Sequence, residues 1–140
     1  MTVYDTLVTD WFSRDWPRPT PRDVRTWSLP GKVDAIYGIR RAGKTWMLLS
    51  EMLERVRGGV PREHNLYVSF EDERLRGAHA MELGGLLDAW FRRCPDAARG
   101  PAWLVLDEVQ EIPGWESFVR RLVDRGNVQL AVTGSLIVAL

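Results

Sequence analysis

From residue 32 onward, short apolar runs alternate with amphipathic stretches. Val33-Asp-Ala-Ile-Tyr37 is a compact apolar run that stops at a glycine, the pattern of a buried strand. Lys44–Arg57 then sets Leu48, Leu49, Met52, Leu53 and Val56 at helical spacing on one face, and Gly58-Gly59-Val60-Pro61 ends the helix. Asn65–Phe70, rich in aromatic and β-branched residues, predicts a second strand. Ala80–Arg93 carries Leu83, Leu86, Leu87, Trp90 and Phe91 at helical spacing and is closed by Pro95. Trp103-Leu-Val-Leu106 is an unbroken apolar run, as expected of a parallel strand covered on both faces. Trp115–Arg125 predicts a helix with Trp115, Phe118, Val119, Leu122 and Val123 in one stripe, and Val128–Thr133 predicts a last strand. Strand and helix in strict alternation predict an α/β fold, a doubly wound and mostly parallel sheet with right-handed crossovers. Residues 1–30 read as an irregular N-terminal segment. Val3–Phe12 can form a short helix, but Pro17, Pro19, Pro21 and Pro30 forbid a long element. Residues 31–140 form the ordered core.

The composition adds little to this picture but narrows the partners. At 140 residues the chain suits one domain with a real core. Its formal net charge is zero, so no overall basic field points to a nucleic-acid partner. The single cysteine, Cys94, has no second thiol for a disulfide or a zinc site and reads as a small apolar residue near a helix end. No signal peptide and no membrane-spanning run is visible, so a cytoplasmic protein is expected. His64 and His79 lack partners at metal spacing and are expected at the surface. The seven tryptophans mostly fall at helix-face or strand positions, where core packing is the better reading than base stacking.

Chemistry enters at the end of the first strand. Gly38-Ile39-Arg40-Arg41-Ala42-Gly43-Lys44-Thr45 fits G-x-x-x-x-G-K-[ST] at every fixed position. Glycines let the backbone turn sharply and present its N–H groups to phosphate oxygens. The helix that follows points its positive dipole end at the anion. Lys44 supplies a charge to the β- and γ-phosphates, and the Thr45 hydroxyl is a ligand for Mg²⁺. The cradle is expected to run from Gly38 to Trp46. Arg40 and Arg41 either approach phosphate oxygens or point into water.

Leu104-Val-Leu-Asp107-Glu108 is an apolar strand ending in two carboxylates. The carboxyl ends of parallel strands face the ligand crevice, so Asp107 is expected to hold Mg²⁺ through water and Glu108 to polarise a water for attack on the γ-phosphate. A Glu directly after the Asp favours ATP hydrolases over GTP switches, and no Asn-Lys-x-Asp run reads guanine. Glu71 and Asp72 follow the second strand, and Thr133 and Ser135 lie at the end of the fourth, all expected on the same rim. Thr133 or Ser135 contacts the γ-phosphate or the attacking water, or else serves as a cap or turn residue. Gln110 either relays nucleotide state or is a surface residue. The Arg22–Leu29 segment is a candidate for contacts to the base.

Taken together, Tyr-Gly-Ile-Arg-Arg-Ala-Gly-Lys-Thr (37–45), Ser-Phe-Glu-Asp-Glu-Arg-Leu (69–75), Leu-Asp-Glu-Val-Gln-Glu-Ile-Pro-Gly-Trp-Glu (106–116) and Val-Thr-Gly-Ser (132–135) resemble the prokaryotic AAA-type P-loop ATPases of archaea and bacteria. The resemblance runs from about residue 22 to 135. It implies an AAA+ core in which Gly38–Thr45 is Walker A, Asp107 and Glu108 are Walker B, and Thr133–Ser135 is the sensor. Such proteins continue beyond this point, whereas this chain reads Leu136-Ile-Val-Ala-Leu140 and stops. The resemblance thus implies a truncated member without the fifth strand, the helical lid, the arginine finger and the C-terminal domain. A missing fifth strand leaves the phosphate-loop strand at a sheet edge, which invites self-association. An ATPase core that hydrolyses the β–γ bond of ATP with Mg²⁺, releasing ADP, is the leading expectation. A nucleotide-binding module without turnover is the alternative, and a small-molecule kinase a weaker third. The client of the cycle is not written in the sequence.

Overall fold

The computed structural model describes residues 2–16, 33–37 and 41–134, with side chains for 2–16 and 45–134. Helix α1 spans Val3–Ser13, strand β1 Val33–Tyr37, helix α2 Arg41–Arg57, β2 Asn65–Ser69, α3 Gly84–Arg93, β3 Ala102–Asp107, α4 Trp115–Arg125 and β4 Val128–Gly134. The four described strands form one parallel sheet in the order β1-β4-β3-β2, so among the described residues β1 lies at an edge. The order reverses direction after β2. Right-handed crossovers therefore carry α2 over one face of the sheet and α3 and α4 over the other. Every residue of β3 is buried, because this central strand is paired on both sides and covered on both faces.

The α/β alternation matches the expected elements, with shifts at their ends. Helix α2 begins three residues before Lys44. Its first turn carries no apolar residue larger than Ala42 to announce it. The expected helix over 80–93 divides into a single 3-10 turn at Ala80–Glu82 and α3 from Gly84. The glycine pair Gly84-Gly85 weakens the helix at that point and has a packing use: a Cβ at Gly85 would stand 2.9 Å from Tyr4 Cδ2 and 3.2 Å from its Cε2.

Helix α1 is well capped. Thr2 and Asp5 form a reciprocal capping box, the Asp5 backbone N–H donating to the Thr2 hydroxyl and the Thr2 N–H to the Asp5 carboxylate. Tyr4, Leu7, Val8 and Trp11 join the same hydrophobic core as the sheet. Trp11 donates its indole N–H to the Asn65 carbonyl at 2.9 Å, which ties α1 to the start of β2. Gly85→Ala measures how closely this helix is seated. Alanine gains about 1 kcal/mol of helix propensity, but the buried Tyr4 ring cannot swing away without exposing itself, and overpacking costs about 1–3 kcal/mol. A lowered melting temperature is expected. A higher one would show that Tyr4 does not depend on the close approach.

Two expectations about lone polar residues resolve differently. Cys94 is buried at the end of α3, and burial pushes its thiol up, which fits the small apolar role. His64 is buried, not at the surface. Its Nδ1 faces the Pro101 carbonyl at 2.9 Å and must be the protonated nitrogen, since a carbonyl only accepts. That bond lies 37 residues away in sequence, so spacing could not reveal it. His79 is exposed and caps the turn at Ala80–Glu82, its Nδ1 accepting from the Met81 N–H. Trp11, Trp90, Trp103 and Trp115 are buried in the core, whereas Trp46 is exposed on α2.

Candidate functional site

Parallel pairing brings the carboxyl ends of all four strands to one rim. Ser69 pairs with Asp107, Leu106 with Val132, Ile36 with Thr133 and Tyr37 with Gly134. The start of α2 and the turn after β3 therefore open on the same crevice, the usual place for a ligand in an open α/β sheet.

Asp107 lies at the centre of this rim and is buried. Three hydroxyl groups converge on its carboxylate. Thr45, in the first turns of α2, donates to Oδ2 at 2.8 Å across 62 residues of sequence. Tyr67, from β2, donates to the same oxygen at 2.5 Å. Thr133, from β4, donates to Oδ1. Four elements thus meet at one carboxylate, and both of its oxygens accept hydrogen bonds that offset the cost of burying it. The phenol of Tyr67 is pushed above its ordinary range, by burial first and then by the charge of Asp107, so it stays protonated and donates.

Glu108 follows directly and is also buried. Its backbone is left-handed, at φ 57° and ψ 54°, and among the described residues it is the one non-glycine with positive φ. That conformation costs a side-chain-bearing residue about 1 kcal/mol. It turns the chain out of the strand, and the surrounding bonds hold it there. The Glu108 N–H donates to Thr133 Oγ1 at 3.0 Å, and the Gln110 amide donates to Glu108 Oε2 at 2.6 Å. Thr133 thus links the two acidic residues, since its hydroxyl gives its proton to Asp107 and accepts the N–H of Glu108. Gln110 is half-buried and bound to Glu108, not a free surface residue.

Of the residues singled out in the sequence, Thr45, Asp107, Glu108, Thr133 and Gln110 come together here. Arg41, Ala42, Gly43 and Lys44 lie on the backbone of the first turn of α2. Gly38, Ile39, Arg40, Ser135 and the Arg22–Leu29 segment lie outside the described residues. Asp72 is engaged elsewhere. It accepts from Arg74, whose guanidinium holds the carboxyl below its usual range, and Arg74 also reaches Asp10 of α1. Glu71 is exposed. Tyr67 belongs to no sequence motif. Its only trace in the sequence is a polar-tipped aromatic two positions before a strand end, on the same side of the sheet as Asp107.

The donor set suits a hard cation. When the Thr45 hydroxyl gives its proton to Asp107, its lone pairs are left for an ion, and oxygen ligands with a single carboxylate are those of Mg²⁺ held mainly by phosphates and water. Among the described residues there is no group of three or more His, Cys, Asp or Glu that could form a cage by itself. Nor is any described helix long and apolar enough to cross a membrane.

The AAA domain family matches residues 30–140. An uncharacterized protein of Methanocaldococcus jannaschii is 34% identical over 114 residues, which cover 81% of this chain and 23% of the relative. An uncharacterized protein of Haemophilus influenzae is 26% identical over 104 residues, 74% of this chain and 25% of that protein. The chain therefore spans about a quarter of the length of these relatives. Among solved structures, C. elegans PCH-2 superimposes with a TM-score of 0.49 at 18% identity, over 79% of this chain and 31% of that one.

Proposed function

The chain belongs to the AAA domain family, and from that premise we propose that it binds ATP with Mg²⁺ in the crevice at the strand ends and hydrolyses the β–γ bond. The observation that carries this reading is the 2.8 Å bond between Thr45 Oγ1 and Asp107 Oδ2. It joins the last residue of the phosphate-loop motif to the carboxylate at the end of β3, the pair that the chemistry requires side by side.

In this reading the amides of residues 38–46 and the Lys44 ammonium hold the phosphates. Thr45 and Asp107 hold Mg²⁺, which when bound neutralises charge on the β- and γ-phosphates. Glu108 takes a proton from the attacking water as the water oxygen bonds to the γ-phosphorus. The bond to the bridging oxygen breaks, and ADP leaves with that electron pair. Thr133, bound to both acidic residues, and Ser135 sense the γ-phosphate. A soluble, cytoplasmic setting and self-association along β1, an edge strand among the described residues, belong to the same proposal.

One observation favours a second reading, a nucleotide-binding module without turnover. Gln110 donates to Glu108 Oε2 at 2.6 Å, so the proposed base is held by its own neighbour. Phosphate release by the wild-type chain decides between the two.

The first test is nucleotide affinity of the 140-residue chain with and without magnesium, beside Lys44→Ala. Loss of a charged donor to phosphate is expected to weaken binding about 10–100-fold, with an unchanged melting temperature for the free protein. A folded wild-type sample with no magnesium-dependent affinity for any nucleotide would end the proposal.

A further inference from the structure

The three hydroxyls on Asp107 do not have equal standing. Thr45 and Thr133 belong to motifs at the start of α2 and the end of β4. Tyr67 comes from within β2 and is part of no motif. The register explains its reach. Ser69 pairs with Asp107, so Tyr67 lies two residues back, about 7 Å along the strand, on the same side of the sheet. The length of the phenol ring spans that interval and brings the hydroxyl to Oδ2 at 2.5 Å.

A carboxylate turns easily about its last torsion. Thr133 fixes one oxygen, and Thr45 and Tyr67 share the other. Thr45 can serve a cation only while its proton points at Oδ2, so that oxygen must stay where Thr45 can reach it. Tyr67 is the donor on Oδ2 that comes from outside the phosphate-loop motif, and its hydroxyl also lies against that of Thr45. Its ring is in turn held by α1. Trp11 packs against it with ring centres 5.5 Å apart and planes at 37°, and Trp11 itself is buried, bonded to Asn65 of the same strand and stacked on Trp16 at 4.8 Å.

We propose that Tyr67 is a positioning residue of the nucleotide site: its hydroxyl, braced by Trp11 of α1, sets the Asp107 carboxylate so that Thr45 can face a divalent cation. The inference rests on the proposed function above. It makes the N-terminal helix part of the site's support, although α1 contributes no atom to the crevice's carboxylate cluster.

The test is Tyr67→Phe in the 140-residue chain, which keeps the ring against Trp11 and removes only the hydroxyl. A fluorescent ATP analogue is titrated in EDTA and then over a series of MgCl₂ concentrations. The expected result is unchanged affinity in EDTA and about a tenfold rise in the magnesium concentration at half-effect, the usual scale for losing a group that orients a metal ligand. Should the variant unfold, Trp11→Phe serves instead. It retains a ring on Tyr67, loses the bond to Asn65, and is expected to raise the magnesium midpoint by a smaller factor. A magnesium midpoint equal to wild type in the folded variant overturns the inference and leaves the proposed function standing. Absence of any magnesium effect in the wild type overturns both.

Discussion

Glu108→Gln is expected to leave nucleotide binding intact and to lower phosphate release by roughly 10²–10⁴-fold, the usual contribution of a positioned general base. The substitution is isosteric and leaves the backbone in its left-handed turn. The N–H of residue 108 can still donate to Thr133, and the Gln110 amide can still donate to the side-chain oxygen at position 108. What vanishes is the negative charge and with it the ability to take a proton from water. Affinity for ATP with magnesium should therefore stay within about twofold of wild type, since this group accepts a proton only in the transition state. Two results would count against the role. Turnover close to wild type would remove Glu108 from catalysis. Collapse of binding would make it a structural support of the crevice. A wild type that binds but releases no phosphate favours the module without turnover.

Asp107→Ala carries the second large effect, and on two axes. The carboxylate accepts from Thr45, Tyr67 and Thr133. Truncation leaves three hydroxyl protons without their acceptor in a buried place, each worth about 1–3 kcal/mol if unmet. Against this, a buried charge is removed, and Thr45 and Tyr67, only partly buried, can turn to water. The losses should still win, with a net cost of about 2–3 kcal/mol and a fall in melting temperature on the order of 10 °C. Binding in the presence of magnesium should drop to the level seen in EDTA. Asp107→Asn should fall between, because its amide keeps one accepting oxygen but opposes one hydroxyl with an N–H. An Asp107→Ala protein that melts like wild type and still responds to magnesium would falsify the central role given to this carboxylate.

The strands were easy to read because each is a short apolar run bounded by polar or glycine residues. β3 is the clearest, since burial on both faces leaves no alternation to confuse. The amphipathic helices α2 and α4 were equally plain from their stripes. Their ends were less so, because the first turn of α2, Arg41 to Lys44, is written in alanine, glycine and charge and carries no periodicity. The helix expected at 80–93 begins instead at Gly84, and Gly85 just inside it leaves the space that Tyr4, 81 residues earlier, occupies. No local pattern contains that information.

The same division holds at the site. In the proposed function, the spacing of Gly38, Gly43, Lys44 and Thr45 and the apolar strand ending in Asp107-Glu108 answer the demands of a phosphate tail and its cation, so a linear motif suffices to mark them. The sequence alone thus determined the strand–helix alternation and the rim on which the polar strand ends would gather. Only the tertiary structure decided that Tyr67 would complete the cluster on Asp107, that His64 would be buried against Pro101, and that α1 would brace β2 through Trp11. Motifs record contacts within a loop or between a strand and its next helix. A hydroxyl arriving from a neighbouring strand, or an indole from a helix 54 residues away, depends on register and packing, which are set only when the whole sheet forms.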